Sequence, residues 1–275
     1  MFRAILIACS LGCASAALAA TAQNTAKTAD KPAASAVQAA PAGVTAAQIV
    51  ERNVAARGGA AAWQRVETLT YSGKFDAGGK PNVELPFVMR MKRGHKNRLE
   101  LTFRDQTAVQ VYDGAQGWKV RPFLNRNEVE PYTPAETRAA AEFDDLDGPL
   151  IDYAKKGTRI ELLGVEKVEG SDAYKLRLTP KDGTQRAIWI DAKTYLEHKI
   201  EGEPKKIDGR LRAVSVYLRD YKAESGLITP RVLETVYEGT KVSRKMTIAK
   251  VTVNEPMQEA LFEKPQLAMA DSPVR

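Results

Sequence analysis

The sequence predicts a mainly β (α+β) fold: an unclosed, strongly curved antiparallel β-barrel of about eleven strands, with an N-terminal helix and a helical lid insertion. Three observations predict it. Apolar and polar residues alternate with a period of two through most of residues 66–253, as in half-buried strands. One amphipathic helical segment precedes these strands, and one helical segment interrupts them. With 275 residues, 44% of them hydrophobic, the chain can bury a sizeable core.

The chain divides into four predicted parts. Residues 1–22 form a signal peptide, and residues 23–44 form a flexible leader because they contain almost no large apolar side chain. Residues 45–265 form one folded domain. Residues 266–275 form a loose C-terminal tail.

The predicted signal peptide determines where the protein is expected to act. A short basic start precedes an uncharged apolar stretch, and small residues place the cleavage after Ala19 or Ala22. The apolar stretch is shorter than the ~20 residues that span a bilayer. The sequence therefore predicts a periplasmic protein, with a lipoprotein anchored through Cys9 or Cys13 as the alternative.

Short helices are predicted at both ends of the folded domain. Thr45 is a typical N-cap residue, and Ile49 and Val50 lie near one face of the helix that follows it. Gly58-Gly59 ends this helix, since glycine readily adopts the backbone conformation that follows helix C termini. A last short helix is expected from Pro256 to Phe262.

The strands are predicted from alternation and from the residues that bound each run. Runs such as 87–91 and 99–103 alternate apolar and polar residues between Gly, Pro, Asn or Asp. Asp113-Gly114 is typical of a hairpin turn. The residues that alternate with the apolar ones predict a basic outer face, formed by Arg90, Lys92, Arg98, Lys175, Arg177 and Arg186.

Residues 134–156 are predicted to be a helical lid over the open side of the sheet. Thr133-Pro134-Ala135-Glu136 joins a capping box to a proline at the first helical position. One helix is expected from Pro134 to about Asp145, and a second from Pro149 to Lys156. A fixed plug that completes the core is the alternative interpretation of the same segment.

Several classes of function have no support in the sequence. Structural zinc needs about four Cys or His ligands in tight spacing, and the two histidines lie far in the sequence from each other and from the two cysteines. Neither a nucleophile elbow nor a phosphate-binding glycine motif is present. His95 and His198 lie among charged residues and are expected on the surface. We therefore predict no enzyme, no catalytic residue, no metal and no cofactor.

The net charge of +7 raises the question of an anionic partner. The stretch Arg90–Arg104 holds six Lys or Arg residues and one Glu, so it is the best candidate for attracting lipid headgroups or an acidic partner. Nucleic acid is not expected, because an exported protein rarely meets it and the positive residues are spread over alternating strand positions.

Five pairs of short motifs occur in order along the domain. They are Ile49–Asn53 with Arg57-Gly58-Gly59, Trp63–Val66 with Thr68–Gly73, Tyr112-Asp113-Gly114 with Gly117-Trp118, Trp189-Ile190-Asp191 with Ala192–Leu196, and Val253-Asn254 with Leu261-Phe262. In this order and spacing they resemble the periplasmic outer-membrane lipoprotein-sorting carriers of the LolA/LolB-like superfamily. The resemblance covers roughly residues 45–265 and implies an unclosed antiparallel barrel, a helical lid and an apolar cavity.

The resemblance also implies a function. The protein is expected to be a monomeric periplasmic carrier that buries the acyl chains of lipoproteins or of another lipid and works with inner- or outer-membrane proteins. In such carriers an arginine on a strand holds the lid shut, but the sequence assigns that role to no particular residue. The alternative is an envelope interaction or stress-sensing module on the same fold that docks a membrane-protein partner.

The candidate ligand-binding residues are the apolar ones on the inner face of the strands and on the insertion. They would line the acyl cavity and its lid, although a filled core would use the same residue types. The candidates are Phe87, Met89, Met91, Leu99, Leu101, Phe103, Phe143, Leu146, Leu150, Ile151, Leu176, Leu178, Ile188 and Ile190.

Overall fold

The computed structural model describes residues 37–78, 83–141 and 146–266. The predicted signal peptide, most of the predicted leader and nearly all of the predicted tail lie outside the described residues. The same is true of Phe143, one of the candidate ligand-binding residues.

The first helix confirms its sequence signals. Helix α1 spans Ala46–Ala56, and Thr45 and Gln48 form a reciprocal capping box. The Thr45 hydroxyl accepts from the Gln48 amide at 3.2 Å, while the Gln48 side chain accepts from the Thr45 amide at 3.0 Å. Ile49 and Val50 are buried, so this helix is fixed to the sheet by one apolar face.

Two further helices are short. Helix α2 spans Ala60–Gln64, and helix α3 spans Pro134–Ala141. Helix α3 begins at the predicted proline, and the residues expected to continue it, 142–145, lie outside the described part of the chain. Among the described residues, no helix is both long and apolar enough to cross a bilayer.

The described strands form one antiparallel sheet. Their order is β6-β5-β4-β3-β2-β1-β13-β12-β11-β10-β9-β8-β7, which leaves β6 and β7 at the edges. The strands are β1 (Thr68–Asp76), β2 (Glu84–Lys92), β3 (Lys96–Phe103), β4 (Gln106–Tyr112), β5 (Gly117–Arg121), β6 (Arg126–Pro131), β7 (Arg159–Val168), β8 (Ser171–Thr179), β9 (Arg186–Asp191), β10 (Glu197–Ile207), β11 (Arg210–Glu224), β12 (Leu227–Tyr237) and β13 (Ser243–Val253).

The mainly β, unclosed and antiparallel fold class is confirmed, but two details of it are wrong. The described sheet has thirteen strands rather than about eleven, and it is neither closed nor strongly curled. Strand β6 is exposed or half-buried along its length and lacks apolar alternation, so periodicity does not reveal it. Curvature depends on twist and bulges, which the alternation pattern does not encode.

The insertion after α3 differs most from its prediction. Residues 146–157 form a series of turns, so the helix expected from Pro149 to Lys156 is wrong. Asp152, inside the expected helix, has a φ value of 52°, which a right-handed helix does not contain. The apolar residues of this segment remain buried against the sheet.

One hydrophobic cluster covers the inner face of the sheet. It joins Ile49 of α1 and Trp63 of α2 to residues of β1–β3, of β8–β13 and of the insertion. Because α1 and the insertion contribute to the same cluster, they cover the inner face together.

The outer face carries a second apolar cluster and a network of ion pairs. Phe262 packs with Val109 and Val111, so the C-terminal segment lies against the outside of β4. The helix expected from Pro256 is wrong in extent, since only a 3-10 turn at Glu259–Phe262 forms.

The expected basic outer face is also wrong, because acidic residues neutralise most of its charges. Arg90 and Arg98 both contact Glu100, at 2.8 and 2.7 Å. Lys175 lies 2.8 Å from Glu166. The Glu259 carboxylate lies 2.5 Å from the ammonium groups of both Lys92 and Lys96. Arg177 lies 3.2 Å from Glu161. The outer face is therefore a mixed, internally paired surface.

The end of the predicted leader contacts an edge strand. Gln38 exchanges two backbone hydrogen bonds of 2.8 Å with Val165 of β7. Gly164 makes this approach possible, since a Cβ atom there would lie 2.3 Å from the Gln38 carbonyl oxygen.

Candidate functional site

Most of the candidate ligand-binding residues meet on the inner face. Phe103 is only partly buried at the rim of the main cluster, and Phe143 is outside the described residues. The others are buried in that one cluster: Phe87, Met89, Met91, Leu99, Leu101, Leu146, Leu150, Ile151, Leu176, Leu178, Ile188 and Ile190. The structure therefore brings together apolar side chains from four strands and the insertion.

A groove separates α1 from the insertion. Its volume is about 350 Å³, and its apolar lining includes Val50 and Val54 from α1 and Leu150 and Tyr153 from the insertion. Charged residues, Glu51, Asp152 and Lys155, stand at its rim. The groove lies where the two covering elements meet, so it marks the boundary that would open if the insertion moved.

A buried arginine connects α1 to the insertion. The Arg57 side chain is 2% exposed, and its Nη1 donates to the backbone oxygen of Asp147 at 3.0 Å. The Trp63 indole donates to the Arg57 carbonyl at 2.9 Å, and the guanidinium lies 4.5 Å from the Trp63 ring centre. Arg57 therefore holds a carbonyl of the insertion from inside the core.

The charge of Arg57 has a buried partner on the sheet. Its Nη1 lies 3.5 Å from Oε1 of Glu197, whose side chain is fully buried. The Tyr221 hydroxyl donates to the Glu197 carbonyl at 2.8 Å. Burial raises the pKa of Tyr221 well above its ordinary value, so the phenol stays protonated and remains a donor.

The Asp147 side chain fixes the insertion from its other side. The Lys156 ammonium lies 2.6 Å from this carboxylate. The guanidinium of Arg93, the residue that follows β2, lies 3.7 Å from it. The Lys156 ammonium also donates to the Gly148 carbonyl at 2.6 Å. Lys156 thus links two parts of the insertion to each other, and Arg93 links the insertion to the end of β2.

Sequence reasoning missed this polar network. Arg57 was recognised only as part of a motif, and it lies just after α1 rather than on a strand. The available signal was its position directly before Gly58-Gly59, where the chain turns back toward the core. Neither Glu197 nor Tyr221 stands out in the sequence, because both alternate with other charged or polar residues.

A second feature that the sequence analysis missed is the composition of β12. Its inward positions mix apolar and polar side chains: Leu227, Thr229, Arg231, Leu233, Thr235 and Tyr237. All six are buried. The inward positions of β12 therefore form a polar stripe, in contrast to the apolar inward positions of β2.

The two histidines occupy different environments. His95 is exposed, as expected. The His198 side chain is 16% exposed, with Nε2 3.2 Å from Glu169 and Nδ1 3.9 Å from Asp191, so it lies among charged residues as expected but is less exposed than His95. Among the described residues, no group of three or more His, Cys, Asp or Glu could hold a metal ion.

Solved structures with the same architecture define the class of this fold. A predicted outer membrane lipoprotein-sorting protein domain from Vibrio parahaemolyticus is similar, with a TM-score of 0.53 and 16% identity over 79% of this chain and 96% of that one. A LolA superfamily protein from Nitrosomonas europaea matches with a TM-score of 0.53 and 14% identity, over 80% and 98% of the chains.

A third structure with this fold belongs to a family named only by number. A DUF1329 family protein from Desulfovibrio piger matches with a TM-score of 0.54 and 15% identity, over 79% of this chain and 95% of that one. The chain therefore shares the fold of these three proteins, and the predicted resemblance is confirmed at the level of the fold.

Comparisons of the sequence say less about this chain than the comparisons of structure. A family model whose description reads "Uncharacterized protein" matches residues 141–269. No curated protein matches the sequence.

Proposed function

We propose that the protein is a carrier that buries acyl chains against the inner face of its sheet, beneath α1 and the insertion. The observation that carries this proposal is the convergence of apolar side chains from β2, β3, β8 and β9 with those of the insertion in one cluster. Each CH₂ group transferred there from water contributes about 0.8 kcal/mol. The adaptable side chains of Met89 and Met91 suit a flexible ligand.

The biological role extends this proposal. The structures from Vibrio and Nitrosomonas are described as lipoprotein-sorting and LolA superfamily proteins. By analogy of fold, this chain would act in the periplasm as a monomer, in the transport or sorting of outer-membrane lipoproteins or another lipid. Residues 45–265 would be the carrier domain, exported by a signal peptide at residues 1–22.

The insertion is the movable cover in this proposal. Residues 146–157 of the insertion form turns rather than helix, so this part has no long internal hydrogen-bond ladder to break when it moves. Its contacts with the rest of the molecule include the hydrogen bond from Arg57 to the Asp147 carbonyl and the groove beside α1. Opening would begin at that groove and expose the inner face.

The first test asks whether the protein holds lipid. The protein purified from cells is extracted with organic solvent, and the extract is analysed by mass spectrometry. The delipidated protein is then titrated with a neutral fluorescent dye that brightens in apolar surroundings. We expect both recovered lipid and saturable dye binding; absence of both contradicts the carrier.

The second test localises the ligand. Leu150→Ala should change the rate of lipid exchange, because Leu150 is 1% exposed and lies between the groove and the core. Leu261→Ala is the matched control, since the same truncation falls on the outer face beside Phe262. If the two variants exchange lipid at the same rate as the unaltered protein, the insertion does not cover the ligand.

The alternative module that docks a membrane-protein partner receives less support. Its candidate surface, Arg90–Arg104, is largely engaged by Glu100 and Glu259 within the chain. A pull-down with periplasmic domains of membrane proteins tests it directly. Binding of a partner by a protein that holds no lipid would favour this alternative over the carrier.

A further inference from the structure

The polar stripe of β12 contains buried atoms that have no partner. Thr229 and Thr235 are fully buried, and Arg231 is 7% exposed. The two threonine hydroxyls and Nε of Arg231 lack a hydrogen-bond partner among the described residues. Buried polar atoms in folded proteins are nearly always satisfied by protein, water or ligand. The stripe therefore lies where a polar group of some other molecule belongs.

Among these groups Arg231 has the greatest need of a partner, because its charge is permanent. Its contact with a carboxylate is a 3.3 Å approach of Nη2 to Glu224. The Glu224 side chain is 40% exposed while that of Arg231 is 8% exposed, so water shares the carboxylate with the guanidinium. The buried Nε edge faces no acceptor among the described residues, which leaves the charge of Arg231 incompletely compensated.

The neighbouring titratable groups do not supply the missing negative charge. Tyr71 lies close enough to sense Arg231, but burial raises the pKa of its phenol far above neutral, outweighing the opposite effects of Arg57 and Arg231. Glu197 is already the partner of Arg57 at 3.5 Å. A group with one negative charge would therefore complete this part of the inner face.

We infer that the acyl ligand is a fatty acid whose carboxylate is bound by Arg231 and Thr229 on β12. The inference rests on the proposed function, because it concerns the polar end of the acyl chain. One carboxylate balances one guanidinium and accepts hydrogen bonds from both the Nε–H and the threonine hydroxyl. The alkyl chain then continues over apolar neighbours in the sheet, such as Leu233 and its register partner Met246.

The test compares two ligands that differ only at the polar end. Palmitate and hexadecanol, which have equal chain lengths, are each titrated against the delipidated protein loaded with the neutral dye. We expect palmitate to displace the dye at about tenfold lower concentration, since a hydrogen-bonded charge pair strengthens binding by this order. Equal displacement by the two ligands overturns the inference and leaves the carrier intact. Displacement by neither overturns the carrier as well.

Variants test whether the preference for palmitate over hexadecanol depends on β12. Arg231→Gln should weaken palmitate binding about tenfold, to the level of hexadecanol, and leave hexadecanol unchanged. Arg231→Lys should keep part of the preference because it retains the charge. Arg177→Gln removes one positive charge from the outer face and should keep all of it. An unchanged preference in folded Arg231→Gln overturns the assignment.

Thr229→Val provides a second route if Arg231→Gln does not fold. The change preserves side-chain shape and removes only the hydroxyl, so the protein should remain folded. We expect palmitate to lose affinity severalfold while hexadecanol does not. If palmitate binding to Thr229→Val equals that of the unaltered protein, the headgroup does not lie at Thr229 and the inference fails.

Discussion

The inward faces of β2 and β12 belong to one sheet and one core, but they are built on different principles. On β2 the buried positions are Leu85, Phe87, Met89 and Met91, all of them apolar. On β12 the inward positions include polar residues, and Thr229, Arg231 and Thr235 carry buried atoms without a hydrogen-bond partner among the described residues. Apolar packing, whether of side chains or of an alkyl chain, accounts for the first strand, but it does not account for the buried polar atoms of the second. This difference separates the apolar part of the inner face from the part that can recognise a polar headgroup.

The largest expected effect is on the apolar strand. Phe87→Ala should lower the free energy of unfolding by about 3–5 kcal/mol, because it leaves a cavity in a packed cluster. Val88→Ala is the control, since its side chain points to the opposite face of β2 and is only partly buried. Urea denaturation measures both. Similar losses for the two variants would mean that β2 does not carry the core.

The next largest effect is expected when the carboxylate partners of the two buried arginines are replaced in turn and the losses of stability are compared. Glu197→Gln should cost about 3 kcal/mol of unfolding free energy, because it leaves Arg57 as an uncompensated buried charge. Glu224→Gln should cost less than about 1 kcal/mol, because Glu224 is half-exposed and already shared with water. Equal costs in chemical denaturation would show that Arg231 depends on Glu224 as closely as Arg57 depends on Glu197.

A gain in stability is expected within the polar stripe. Thr235→Val replaces a buried hydroxyl that has no described partner with a methyl group, so the ligand-free protein should be more stable by about 1 kcal/mol. Thr102→Val is the control, because the Thr102 hydroxyl lies 3.3 Å from that of Thr107 and should give no gain. A loss of stability in Thr235→Val would reveal a bound water or ligand at the hydroxyl.

The smallest effect concerns the outer face behind β2, where charges are paired. Hydrogen bonds from Lys92 and Lys96 hold the pKa of Glu259 at about 2, below its ordinary value of 4.5. A lowered folded-state pKa stabilises the protein above the ordinary value, and that contribution disappears as the pH falls toward 2. The difference in urea midpoint between the unaltered protein and Glu259→Gln should therefore shrink between pH 4.5 and 2. A difference that is constant over this range would contradict the pairing.

The elements that the sequence predicted well are those with a local physical signal. The cap at Thr45, the proline that starts α3 and the alternation on β2 each depend on neighbouring residues, and each is confirmed. The apolar candidate residues also meet as expected, because burial follows from hydrophobicity and period. Their role in ligand binding stays a prediction.

The elements that were missed depend on contacts between distant residues. Arg57 meets Asp147 and Glu197 only after the chain has folded, and apart from its position before Gly58-Gly59 its surroundings in the sequence resemble those of the exposed arginines. The turns at 146–157 replace a helix because Asp152 takes a positive φ value, which the apolar pattern does not encode. The polar residues of β12 were hidden for a related reason, since threonine and arginine are ordinary on a strand until its buried face is known.

The contact between Gln38 and Val165 has a consequence for the behaviour of the protein at high concentration. An uncovered edge strand offers its backbone to any other strand and is a template for aggregation. Val37 and Gln38 lie directly over Gly164, so they block part of the β7 edge from pairing with a neighbouring molecule. Proteolysis or truncation that removes this short segment would therefore first appear as self-association of folded molecules, before any loss of thermal stability.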